Sequence, residues 1–248
     1  CKNISDEVRE KNYLNTASVL SWFKINKPKI VILSAARVGG IWANKIYPAN
    51  FIYENLTIQT NVINAAHKSK VGKLLFIGST CIYPKICRQP LKEEYLLSSK
   101  LEESNEPYAI AKIAGIKLCE SFNRQYQTDF RSVMAPNMYG EGDSFDEEKS
   151  HVISGLIGKI YNAKINNLKT LSVWGTGKPI REFLYVDDAA DICVKIMNTR
   201  KEVFNKLVKP NLSHLNIGNG IGISIKKLAL LIKNIIGYNG KIYFDTSY

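Results

Sequence analysis

The chain has 248 residues, 45% apolar and 23% charged, an ordinary composition for a globular protein able to bury a sizeable core. Its net charge of +12 comes from lysines spread along the chain with no long basic block, so nucleic-acid binding is not expected. No apolar run reaches the ~18 residues of a membrane span, no secretory pattern is seen, and five scattered cysteines and three unpaired histidines suit free thiols in a reducing cytoplasm with no metal site.

In chain order, Lys29–Ser34 is a short apolar run, partly β-branched, which predicts a buried parallel strand. A helical pattern covers Pro48–Lys70, and a second apolar strand runs over Lys73–Ile77 into Gly78-Ser79. A polar loop (Pro84–Glu106) leads to a helix that carries Tyr108 and runs to about Tyr126, and Asp129–Met134 reads as the next strand. Strands alternating with helices predict βαβ units, hence an α/β fold around a doubly wound parallel sheet. Ligands of such sheets sit at the carboxyl ends of the strands, where Ser34-Ala35-Ala36, Ser79-Thr80-Cys81 and Ala135-Pro136-Asn137-Met138 fall. Beyond Phe145 the rhythm changes. Helices are expected over His151–Lys164, Asp187–Met197 and Ser224–Ile236. Strands are expected at Thr170–Trp174, Arg181–Val186, Leu215–Ile217 and Lys241–Phe244.

Tyr108 and Lys112 are four residues apart, one turn from each other on one helix face. A phenol titrates near ~10. An adjacent ammonium favours the phenolate, so this spacing predicts a tyrosine whose pKa is pulled toward the working range of an acid–base catalyst. Ser79, at a strand end about thirty residues upstream, is suited to hydrogen-bond the oxygen that exchanges the proton. The plainer alternative is a surface helix with an unremarkable Tyr and Lys.

Longer strings narrow the reading: Ser34-Ala35-Ala36-Arg37-Val38-Gly39-Gly40-Ile41, Gly78-Ser79-Thr80-Cys81-Ile82-Tyr83-Pro84, Asn105-Glu106-Pro107-Tyr108-Ala109-Ile110-Ala111-Lys112, Arg181-Glu182-Phe183-Leu184 and Val186-Asp187-Asp188. From about Tyr13 to the C-terminus the chain resembles the GDP-L-fucose synthase family of the extended short-chain dehydrogenase/reductase superfamily. The resemblance implies 3,5-epimerisation and NADPH-dependent 4-reduction of GDP-4-keto-6-deoxy-D-mannose. It implies Ser79, Tyr108 and Lys112 as the reductive triad, Cys81 as the epimerisation base and His151 as the acid. A thiol near ~8.5 and an imidazole near ~6.5 are easily tuned to such an exchange. Read alone, Cys81 is as well a small buried hydrophobe, and His151 a helix-end residue. By the same resemblance Ala35, Ala36, Ile77, Gly78, Ser79, Thr80, Tyr108, Lys112, Ala135, Pro136, Asn137, Met138 and His151 border NADP(H). Lys159, Trp174 and Arg181 contact the GDP-sugar, and the helices over Pro48–Lys70 and Tyr108–Tyr126 form a homodimer.

The family's first strand, its glycine-rich phosphate-binding turn and its first helix find no counterpart before Lys29. The expectation is therefore a partial NADP-binding Rossmann domain over 1–148, with an apolar, unpaired edge at Lys29–Ser34. A smaller interleaved substrate-binding α/β domain is expected over 149–248. The alternatives are another nucleotide-sugar epimerase or dehydratase of the superfamily, or a non-catalytic nucleotide-binding remnant. Cys81-Ile82 stands where dehydratases carry an acidic pair, and a simple C4 epimerase needs neither Cys81 nor His151.

Overall fold

The computed structural model describes residues 12–145 and 150–247. They form two compact units. The first takes in the described residues up to Ala135 together with Ile192–Ile217; the second comprises Pro136–Asp191 and the residues from Gly218 onward. The 148/149 boundary read from the sequence lies inside the second unit.

The first unit is built on four parallel strands in the order β1-β2-β3-β7: β1 (Ile30–Leu33), β2 (Lys73–Ser79), β3 (Phe130–Ala135) and β7 (His214–Asn216). The three strands β2, β3 and β1 were each expected within a residue or two. β3 is buried along its whole length, and successive residues of a strand face opposite sides of the sheet. Phe130 meets Phe122 of α4 (Glu106–Tyr126), with ring centroids 6.0 Å apart. Its neighbour Arg131 turns the other way. Its guanidinium lies 4.6 Å from the ring of Phe204 on α7 (Lys201–Leu207) and bonds the Ile196 carbonyl in α6 (Val186–Asn198). Helices therefore cover both faces, as a doubly wound sheet requires. Arg131 is fully buried and is satisfied by Asp129 through Nε and Nη2 at 2.7 and 2.8 Å.

α3 (Pro48–Lys68) opens with proline at its first position, where no N–H is missed. It packs on α4, and Gln59 Nε2 donates to the Ala111 carbonyl at 2.6 Å to tie the pair. α1 (Thr16–Asn26) joins α3 through Thr16 Oγ1, 2.8 Å from Asn61 Oδ1. α1, α7 and the short α2 (Ile41–Ile46) are not foreshadowed by the sequence pattern. The buried side chains of α1 are only Val19 and Phe23, and its other apolar residues lie around the helix without a single apolar face. Among the described residues β1 pairs only with β2, and Ile30 and Ile32 stay 53% and 47% exposed, the apolar open edge that was expected.

The second unit holds β4 (Asn137–Tyr139), β6 (Ile180–Tyr185) and β8 (Gly222–Ser224) in one small sheet, and β5 (Thr170–Trp174) beside β9 (Lys241–Asp245) in another. α5 (Val152–Ile165) and α8 (Ile225–Ile236) close over a core of Leu156, Ile160, Val173, Phe183, Leu228 and Ile232. Ser224 caps α8 by accepting from Lys227 N at 3.2 Å.

Candidate active site

β2 and β3 run in register to their carboxyl ends, so Gly78 lies beside Met134 and Ser79 beside Ala135. At Ser79 the chain turns into a single 3-10 turn, Thr80–Ile82, with Ser79 Oγ accepting from Cys81 N at 3.5 Å. α4 starts nearby with Glu106 and Pro107 in its first turn, which suit a helix N-terminus. Its 3.6-residue repeat brings Tyr108 and Lys112 to one face. Lys112 Nζ lies 5.7 Å from the Tyr108 ring centroid and 4.9 Å from that of Phe76, and donates to the Ile77 carbonyl at 2.9 Å. Phe51 of α3 braces the Tyr108 ring edge-on at 6.3 Å. Cys81 is half-buried, its backbone N–H bonds the Ser79 hydroxyl, and its thiol feels the charge of Lys112. Ser79, Cys81, Tyr108 and Lys112 thus form one cluster within the first unit.

The electrostatics correct one expectation. Lys112 does not pull the phenol down: burial holds Tyr108 well above the ordinary phenol range, and charge on Cys81 adds to this. The reason is geometric. The ammonium sits against the rings and the Ile77 carbonyl rather than at the hydroxyl, and it is itself desolvated, its pKa lowered to about 8. Burial likewise raises the Cys81 thiol, opposed by Ser79, Asn105 and Lys112 in that order.

In the second unit, His151 is the residue before α5, with an exposed ring and its carbonyl accepting from Gly155 N at 2.8 Å. Lys159 reaches from α5 to the end of β5, its Nζ 4.3 Å over the Trp174 ring. Arg181 is exposed on β6 and bonds its own neighbour, the Ile180 carbonyl, at 2.9 Å. Pro136, Asn137 and Met138 also belong to this unit, Asn137 Nδ2 donating to the Glu182 carbonyl at 3.2 Å. Of the sugar-binding candidates, then, Lys159 and Trp174 are joined and Arg181 is bonded elsewhere. His67 lies against the rings of Phe122 and Tyr126, and Cys119 and Cys193 are buried.

The sequence model of the NAD dependent epimerase/dehydratase family matches residues 2–218. The chain belongs to that family. Within it the chain groups with the GDP-L-fucose synthases. It is 50% identical to the GDP-L-fucose synthase of Escherichia coli K12 over 96% of this chain and 74% of that protein. It is 48% identical to the putative GDP-L-fucose synthase 2 of Arabidopsis thaliana over 96% and 70%. Among solved structures, a GDP-D-glycero-L-gluco-heptose synthase from Campylobacter jejuni, determined in the presence of NADPH, superposes with a TM-score of 0.90. Identity there is 38%, over 96% of this chain and 78% of that one.

A nicotinamide dinucleotide is the cofactor this family implies, and the donor chemistry of the first unit fits one. An ammonium has three N–H groups, and Lys112 directs one to Ile77, leaving donors of the kind that hold ribose hydroxyls. Ala35 and Ala36, where the chain leaves β1 at the carboxyl end of the sheet, are small and half-buried. The loop they begin is braced by Asn55, which accepts from Arg37 N at 2.9 Å and donates to the Arg37 carbonyl at 3.0 Å. Gly78 serves the sheet instead: a Cβ there would lie 2.3 Å from the Met134 methyl.

One feature escaped sequence reasoning. Tyr83, His214 and Asn216 form a buried group, Tyr83 OH donating to Asn216 Oδ1 at 2.5 Å with His214 Nε2 at 3.1 Å. It anchors the loop after the 3-10 turn to β7, some 130 residues away in sequence.

Proposed function

We propose that the chain epimerises C3 and C5 of GDP-4-keto-6-deoxy-D-mannose and then reduces C4, giving GDP-L-fucose. The observation that carries this reading is the joint placement of a thiol, a phenol, a serine hydroxyl and an ammonium in one cluster. A plain ketoreductase has no use for the thiol.

C3 and C5 flank the C4 carbonyl, so a proton lost from either leaves an enolate. Cys81, once ionised, removes that proton, and His151, by its place in the family motif, is the acid that returns one. The Ser79 hydroxyl orients the C4 oxygen, and Tyr108 protonates it as negative charge develops there. Because burial keeps the phenol neutral, Tyr108 holds its proton at neutral pH, the state a donor needs. NADPH, when bound, supplies the hydride. Lys112 holds the nicotinamide ribose, and Ala35, Ala36 and the residues about Ser79 line its path. Lys159, Trp174 and Arg181 receive the GDP moiety, since an aromatic face suits a base and cations suit a diphosphate. The protein is read as a cytoplasmic homodimer formed through α3 and α4.

The test is proton exchange in deuterated water, followed by NMR at C3 and C5, alongside NADPH oxidation. Cys81→Ser is expected to stop exchange and still oxidise NADPH, yielding an uninverted 4-reduced sugar. Exchange at the parent rate in Cys81→Ser would refute the assignment of the base.

A further inference from the structure

Cys81 sits in the Thr80–Ile82 turn, and the bonds that close this turn are long. Ser79 Oγ accepts from Cys81 N at 3.5 Å, and Tyr83 N donates to the Thr80 carbonyl at 3.3 Å. A good N–H···O bond is about 2.9 Å. The firmer attachment comes two residues after the thiol. Tyr83 is buried, its hydroxyl donating to Asn216 Oδ1 at 2.5 Å with His214 Nε2 at 3.1 Å. Counting hydrogens fixes the direction of these bonds. Asn216 Nδ2 donates to the Leu91 carbonyl at 3.2 Å, so Oδ1 is the acceptor. A phenol has one hydrogen; given to Asn216, it leaves the phenol oxygen to accept from His214 Nε2–H. Burial holds His214 below its ordinary titration range, so the ring is neutral and carries that single N–H. Asn216 is itself set in the sheet. It lies in register with Met134, and Met134 with Gly78, the residue before Ser79. Asn216 N also donates to Glu93 Oε1 at 2.9 Å. The phenol thus ties the Cys81 turn to the row of the sheet that holds the end of β2.

We propose that Tyr83 is a positioning residue for Cys81, its hydroxyl oriented by Asn216 and His214, an assignment that rests on the reading of Cys81 as the epimerisation base. The reductive groups have supports of their own. Ser79 closes β2 beside Ala135, and Tyr108 and Lys112 are carried by α4. Releasing the phenol should therefore displace the thiol and leave the other three in place. A misplacement of about 1 Å at a reacting group costs on the order of 100-fold in rate.

Tyr83→Phe keeps the ring and removes both bonds of the hydroxyl. Deuterium exchange at C3 and C5 is expected to fall by about tenfold or more, while NADPH oxidation on the same sugar stays near the parent rate. Iodoacetamide alkylation at pH 8, read by mass spectrometry of the Cys81 peptide, is expected to quicken by about fivefold as the turn opens, with the buried Cys119 still unmodified. His214→Gln, whose amide can donate from the place of Nε2, should keep the parent values; His214→Leu, which cannot donate, should behave as Tyr83→Phe. Parent-rate alkylation in Tyr83→Phe overturns the proposal, and so does parent-rate exchange where Cys81→Ser has stopped exchange. An equal fall of exchange and reduction, the mark of general destabilisation, overturns it too. Should Tyr83→Phe fold poorly, the contrast between His214→Leu and His214→Gln decides. Alkylation needs no turnover: quickened alkylation together with undiminished exchange in Cys81→Ser would uphold the tie to the turn and overturn the catalytic reading of Cys81.

Discussion

Lys112 is 3% exposed, and its amine pKa falls from 10.5 to about 8 chiefly because burial penalises the charge. At about 1.4 kcal/mol per tenfold change, that depression corresponds to roughly 3 kcal/mol of lost stability while the amine is charged in both folded and unfolded chains. The sign follows from proton counting. Between about pH 8 and 10.5 the unfolded chain binds more protons than the folded one, so stability attributable to Lys112 rises with pH through that window. Below it the full penalty applies. Lys112→Met removes the charge and also the bond to the Ile77 carbonyl, a loss of about 1 kcal/mol. The variant is expected to be more stable than the parent by about 2 kcal/mol at pH 7, and the gap to close nearly to zero by pH 10. Urea unfolding of both proteins at the two pH values, followed by tryptophan fluorescence, measures it, and ionisations common to both cancel in the difference. A gap that is equal at pH 7 and pH 10, or a variant weaker at pH 7, would refute the claim that desolvation dominates this amine. The same variant should lose the reductive step, so a stabilised but inactive protein is the full expected outcome.

Tyr108→Phe should lower the 4-reduction rate by about 100-fold or more, because the proton donor is gone, while exchange at C3 and C5 persists; NADPH oxidation and NMR separate the two. Asp129→Ala strips the partner from a guanidinium that is fully buried, and should destabilise the first unit by about 3 kcal/mol in urea, with the rate of the remaining folded protein unchanged. Gly115→Ala places a methyl 2.4 Å from Phe76 Cζ and 2.9 Å from Gln59 Oε1 between α3 and α4. Overpacking there should cost about 1–3 kcal/mol, seen as a lower urea midpoint.

The regular elements that place the first-unit cluster were legible because each carries a local period: the apolar runs of β2 and β3, and the long helices α3 and α4. The seven-residue α7 and three-residue β4 and β8 were missed, being too short for a period to register. Ser79, Tyr108 and Lys112 were legible as a spacing, since four residues on a helix fix a shared face whatever surrounds it. The direction of the Tyr108 shift was read backwards. Spacing says that a cation is adjacent, but the depth of burial, the Ile77 carbonyl and the angle of the ammonium to the ring are supplied by β2 and Phe51, distant along the chain.

The order of residues alone supplies an inventory: parallel α/β order, the strand ends where chemistry belongs, and the side chains able to move protons. Those follow from backbone periodicity and intrinsic reactivity, which are local. The packing of the folded chain sets the rest: the phenol stays protonated, and the buried lysine, its pKa lowered to about 8, carries its charge at a cost. Each of these is a balance of desolvation against hydrogen bonds from residues far apart in the chain, and such a balance exists only once the fold has brought them together.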